Sequence, residues 1–144
     1  MNIFNYLKTD EDHLKELMWD VTNNYPEWTQ DRVFESVKNV IDSVHAHIKK
    51  KNELLLSNVR GHETISDVLA KWDEQTTNID ETINSLIMIH VDEPGFESLL
   101  IKLSKMVDNL ISFSRDELYP AVRSVASEDE LKRMDKHLDS LVLS

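Results

Sequence analysis

Cysteine is absent from this chain. That excludes disulfides, thiolate metal sites and cysteine nucleophiles together, and it is compatible with a reducing compartment. Glycine occurs twice and proline three times, too few for the turns of a sandwich or barrel or for a flexible linker. No run reaches the roughly 18 apolar residues of a membrane span. The first ten residues lack the basic flank and apolar stretch of a signal peptide. Basic residues are in deficit, 16 against 27 acidic ones, for a formal charge of -11. That balance repels phosphate backbones and anionic lipid. Neither nucleic acid nor membrane is therefore expected as a partner, and a cytoplasmic location is expected. The chain has no glycine-rich phosphate loop, serine elbow or paired-carboxylate spacing that would point to an enzyme.

What the chain does have is helical periodicity, and 40% apolar content with which to bury it. A length of 144 residues suits one domain, expected to span 1–144. Thr9 or Asp10 can cap a first helix with His13 or Leu14, then Leu17 and Val21, on its inner face, ending before Pro26. A second helix from about Glu27 aligns Val33, Val37, Val40, Val44, His47, Lys51 and Leu54 or Leu55 at spacings of three and four. After a turn at Asn58-Val59-Arg60-Gly61, a third carries His62, Ile65, Leu69, Trp72, Thr76, Ile79, Ile83 and Leu86. Asp92-Glu93-Pro94-Gly95 leads into a fourth with Leu99, Leu103, Met106, Leu110, Phe113 or Ser114, and Glu117 or Leu118, expected to stop at Pro120. Ser127 and Glu130 have capping-box spacing for a short last helix to about Val142, with Leu131, Met134, Leu138 and Leu141 as its apolar line. The expected fold class is all-α: an antiparallel up-down-up-down four-helix bundle with a short additional C-terminal helix.

Chemistry is sought where polar residues occupy inner lines. His13, His47 and His62 fall on the core-facing lines of three different helices, where neutral imidazoles suit one transition-metal ion. The bland alternative is three hydrogen-bonded core histidines. Asp12 and Glu63 are weak candidates to orient those imidazoles. His45 lies about 200° around the helix from His47 and is expected to be peripheral. His90 and His137 sit near helix ends, where the dipole favours them. Lys49 and Lys50 read as a solvated face, and Trp19, Trp28 and Trp72 as packing residues.

Several motifs in order resemble the hemerythrin-like, histidine-histidine-glutamate cation-binding domains over nearly the whole chain. They are Asp12-His13-Leu14, the segment His47 to Leu56, Gly61-His62-Glu63, the loop Asp92-Glu93-Pro94-Gly95-Phe96, and Arg115-Asp116-Glu117-Leu118-Tyr119-Pro120. The resemblance implies a helical bundle descended from a di-iron protein that binds oxygen or other small diatomic molecules, or stores or senses iron. It places histidines on all four helices and bridging carboxylates four residues after those of the second and fourth. Here Lys51 stands at the first bridge position. Leu110 stands where the fourth-helix histidine belongs, and Ser114 at the second bridge. Without anionic bridges two cations about 4 Å apart repel by several kcal/mol per charge product, so an intact di-iron centre is not expected. The Lys51 ammonium opposes metal binding and can stand in electrostatically for the metal.

Two readings follow. In the leading one the chain is a non-enzymatic interaction or regulatory module with a degraded di-iron site and a protein partner. In the other, His13, His47 and His62 hold one ion, iron or zinc among the candidates, and bind oxygen or another small ligand.

Overall fold

Asn2 is extended, and its side-chain oxygen accepts the Asn5 N–H at 3.1 Å, so the first helix starts well before the Thr9 or Asp10 cap expected from sequence. The computed structural model describes residues 2–143. Helix α1 (Ile3–Asn24) leads through a 3₁₀ turn at Tyr25–Glu27 to α2 (Gln30–Lys50). The Thr29 hydroxyl caps α2 by accepting the Arg32 N–H at 3.2 Å. The chain continues past Lys50 in a π turn, Lys51–Leu55, and a 3₁₀ turn, Leu56–Asn58. A third 3₁₀ turn, Glu63–Ile65, precedes α3 (Ser66–Ile87), and Pro94 precedes α4 (Gly95–Phe113). Among the described residues there is no strand, and no helix is long and apolar enough to cross a membrane.

Pro120 does not end the fourth helix. A π turn at Ser114–Leu118 follows α4 and passes with helical dihedrals into α5 (Tyr119–Val125). A proline inside a regular α-helix clashes with the carbonyl four residues earlier and lacks an N–H to donate. The wider turn just before Pro120 is where an i→i+5 ladder replaces the i→i+4 one, and the proline then occupies the first turn of α5, where it is tolerated. The last helix, α6 (Glu128–Leu143), starts as expected. Ser127 N–H donates to Glu130 Oε1 at 2.9 Å, and Glu130 N–H donates to Ser127 Oγ at 3.1 Å. That reciprocal pair is a capping box.

Helix α1 packs against α2 and α4, α3 packs against α4, and α6 lies against α1 and the Lys51 turn. Their buried apolar residues form one cluster. The inner lines of α2 and α3 are the expected ones: Val33, Val37, Val40 and Val44 on α2, and Leu69, Trp72, Ile79, Ile83 and Leu86 on α3, are all buried. Fully burying such a side chain contributes about 1.5–3 kcal/mol. On α4 the line is rotated slightly, with Leu100 and Val107 buried while Leu99 and Met106 are only partly so.

On α1 the line differs. It runs through Leu7, Glu11, Leu14, Met18 and Val21, leaving Leu17 40% exposed and His13 exposed. Trp19, next to Met18 and so about 100° away from it, is 64% exposed instead of packed. Trp72 is the one of the three tryptophans that is fully buried. Trp28 packs at the margin with the Arg32 guanidinium 4.1 Å over its ring.

Candidate functional site

The inner line of α2 ends on two residues that are not apolar. His47 and Lys51 are buried all the same, with Lys51 at 0% exposure. A buried ammonium must be paired or it shifts toward neutrality. Lys51 Nζ donates to Glu11 Oε2 at 2.8 Å and to Ser114 Oγ at 2.9 Å. The rings of Trp72 and Tyr119 lie 4.9 and 5.2 Å from the same nitrogen, within cation–π range. Lys51 and Ser114 are each the first residue of a π turn. Such turns interrupt the regular ladder and occur frequently at functional positions.

Glu11 is the anion at the centre, and it too is fully buried. Its Oε1 accepts Arg115 Nε at 2.9 Å, and its Oε2 accepts both the Lys51 ammonium and the Tyr119 hydroxyl. Arg115 carries the network to the surface, donating to the Lys8 carbonyl at 3.0 Å and to Asp12 at 2.8 Å. Ser114 Oγ donates to the Leu110 carbonyl at 2.8 Å while accepting from Lys51. The charges balance: Lys51 and Arg115 against Glu11 and Asp12. Burial pushes the Glu11 carboxyl up, but the Lys51 charge and the hydrogen bonds from Lys51, Tyr119 and Arg115 outweigh it and hold Glu11 below its ordinary range. Burial pushes Lys51 down to about 8 against the pull of Glu11. Burial, with Glu11 adding to it, also raises the Tyr119 phenol.

A second layer sits beside this one. His47 Nδ1 and Asp10 Oδ2 are 2.7 Å apart, and Lys50 Nζ donates to Asp10 Oδ1 at 3.1 Å. The hydrogen bond from His47 is the main reason the Asp10 carboxyl is lowered to about 2. Burial lowers His47 below its ordinary value despite that bond. A neutral imidazole donating from Nδ1 to Asp10 turns the lone pair of Nε2 inward. That Nε2 lies 3.8 Å from Glu11 Oε2, buried and without a hydrogen-bond partner.

The three histidines singled out from sequence do not share this site. His47 is inside it. His13 is exposed, because the inner line of α1 falls on Glu11 and Leu14. His62 precedes α3 in extended backbone instead of starting its inner line, and its Nε2 is 3.2 Å from the Glu130 carboxylate of α6. Among the described residues no group of three or more histidine, aspartate or glutamate side chains is arranged to hold a metal ion. His45, half-exposed, is 3.4 Å from Asp80, and His90 and His137 are exposed. Lys50 is partly buried against Asp10 and the Tyr6 ring instead of being fully solvated.

Lys51 and Ser114, in contrast, meet through a hydrogen bond, and the Ser114 hydroxyl bonds back to the Leu110 backbone carbonyl one turn earlier. Sequence reasoning missed Glu11, the residue that makes the lysine tolerable. The available signal was the spacing Leu7, Glu11, Leu14, Met18, Val21, which places an acid on an otherwise apolar line. Tyr119 and Arg115 lie in the run from Arg115 to Pro120, whose sequence alone attaches no site role to either. No family model matches the chain, and no curated protein or solved structure matches it.

Proposed function

We propose that this chain is a hemerythrin-like helical bundle whose metal-binding interior has been replaced by a lysine-centred ion network, and that it serves as a non-enzymatic interaction or regulatory module for a protein partner in the cytoplasm. The observation that carries the reading is the 2.9 Å contact between Lys51 and Ser114. The resemblance assigns these two positions, 63 residues apart in sequence, to the bridges of one centre, and residues assigned to one centre have to converge. An antiparallel up-down-up-down course agrees with the short connections between α1 and α2 and between α3 and α4.

The interior has the wrong charge for a cation. Lys51 places a positive charge where bridging anions are required, and each unit-charge product at about 4 Å is worth roughly 4 kcal/mol at an effective dielectric near 20. Glu11, the one fully buried carboxylate of the network, is already committed to Lys51, Arg115 and Tyr119. The reading through His13, His47 and His62 gains no support from where those side chains lie.

Elemental analysis of untagged protein from iron-supplemented cells tests this. The expected result is far less than one equivalent of any transition metal, unchanged in His62→Ala. Two irons per chain, or one metal lost with His47→Ala, would contradict it.

A further inference from the structure

Lys51 lies near one end of the bundle; an apolar groove opens about 25 Å away along α2, by the helical rise over the intervening residues. It runs between the first half of α2 and the segment following α3, with a volume of about 570 Å³. Val37, Ile41 and Phe96 are buried in its floor. Phe34, Ile87 and Met88 line it with 61%, 63% and 82% exposure. Three large apolar side chains exposed along one groove are a contiguous patch, unlike single exposed residues.

The charged side chains of the groove are uneven. Asp31, Asp42 and Asp92 line it with Lys38 as their counterweight, on a chain of formal charge -11. A second copy would bring the same carboxylates against these, and like charges set against one another disfavour association. An anionic lipid surface is repelled for the same reason. Among the described residues there is no sheet edge to which an extended peptide could add, and an apolar groove beside a helix suits an amphipathic helix that lays its apolar face into it. Met88, flexible and polarizable, suits repacking around such a helix.

We propose that this groove docks the apolar face of a cationic amphipathic helix belonging to a partner protein. The proposal rests on reading the chain as an interaction module and gives that partner its chemistry: large apolar residues three and four apart, flanked by lysine or arginine that face Asp31, Asp42 and Asp92.

The test is calorimetric titration of the full chain with three synthetic peptides of about 18 residues, long enough for five helical turns. One is a leucine–lysine peptide with leucines at helical spacing, one has the same composition scrambled, and one has glutamate for lysine. The ordered lysine peptide is expected to bind in the micromolar range, at least tenfold tighter than either control. Met88→Asp is the decisive variant, because it adds negative charge while removing apolar surface. Purely electrostatic attraction would strengthen with it, whereas groove docking is expected to weaken at least tenfold. Asp31→Lys with Asp42→Lys is expected to weaken binding similarly, and circular dichroism checks that each variant remains helical. Equal binding of the scrambled or acidic peptide, or binding indifferent to Met88→Asp, would overturn the proposal. So would a dimer in sedimentation velocity that Met88→Asp dissociates, since the face would then belong to a second copy. A metal-free chain that ignores the peptide fails this proposal alone, and a chain with two irons that binds it fails only the reading of the interior.

Discussion

Lys51 and Glu11 form an ion pair of 2.8 Å in which both side chains have 0% exposure. Desolvating two charges costs several kcal/mol per ion, and only close geometry with further hydrogen bonds offsets it. Here the further bonds come from Ser114 to the cation side and from Arg115 and Tyr119 to the anion side. The arrangement confers little net stability as a unit, yet it is costly to break from one side.

Single and double substitutions separate those two properties. Glu11→Leu is expected to destabilise by about 3–5 kcal/mol, because it leaves the buried ammonium with Ser114 as its remaining hydrogen-bond partner. Lys51→Met is expected to cost less, about 2–3 kcal/mol, since Glu11 keeps Arg115 and Tyr119. The double variant is expected to recover most of the loss that Glu11→Leu causes but to stay about 1–3 kcal/mol below the native protein, because the Tyr119 hydroxyl and Arg115 lose Glu11 as acceptor. Urea unfolding of the four proteins gives the coupling. Additive single effects would mean that the two side chains do not depend on each other.

Acid is expected to unfold the protein through the same cluster. Native Asp10 is held at about 2 against 3.8 unfolded, and Glu11 and His47 are also below their unfolded values of 4.5 and 6.5. In each case the unfolded chain binds the proton first as the pH falls, so stability is lost as the pH falls and is greatest above these values. The loss begins near pH 6.5 with His47 and steepens below about 4.5 as the carboxylates follow. Thermal melts between pH 8 and 3 check this, and Asp10→Asn is expected to flatten the acidic part of the curve.

On the inner face of α1, Leu14 and Val21 are buried as the sequence predicts, while Leu17 and His13 are exposed, and three alanine variants test that face. Leu14→Ala is expected to cost about 2–4 kcal/mol, as buried leucines do. Leu17→Ala, at a position 40% exposed, is expected to cost under about 1 kcal/mol, and His13→Ala to stay within about 0.5 kcal/mol. The reverse ranking for Leu14 and Leu17 would restore the sequence-based face.

The lines of α2 and α3 were legible because their polar members, His47, Lys51 and Thr76, interrupt long apolar runs without shifting them. Helix α1 was not, because the acid at Glu11 hides one inner position and starting the helix at Thr9 or Asp10 discards Leu7, the residue that would have exposed the pattern. Pro120 read as a stop because a sequence pattern carries no sign of a π turn. Of the site, His47 and Lys51 were readable as polar residues on the inner line of α2. The meeting of Lys51 with Ser114 and Glu11 was not, since it depends on helices being set side by side, and the gathering of three histidines was expected from lines that two of those histidines do not occupy.

Ser127 and Glu130 make the start of α6 a local matter, open to a local test. Ser127→Ala is expected to cost about 1 kcal/mol through the lost cap. Glu130→Ala is expected to cost more, because the same carboxylate also pairs with His62 in the segment before α3. Chemical denaturation of both variants measures the difference.

A lysine ammonium fills the interior of the bundle, and the nitrogen resonance of the Lys51 side chain, followed through a pH titration, reports its surroundings. The expected signal is protected from exchange with water, absent in Lys51→Met, and titrates at about 8. A signal in fast exchange that titrates at the ordinary lysine value of 10.5 would place Lys51 in solvent instead of in the interior.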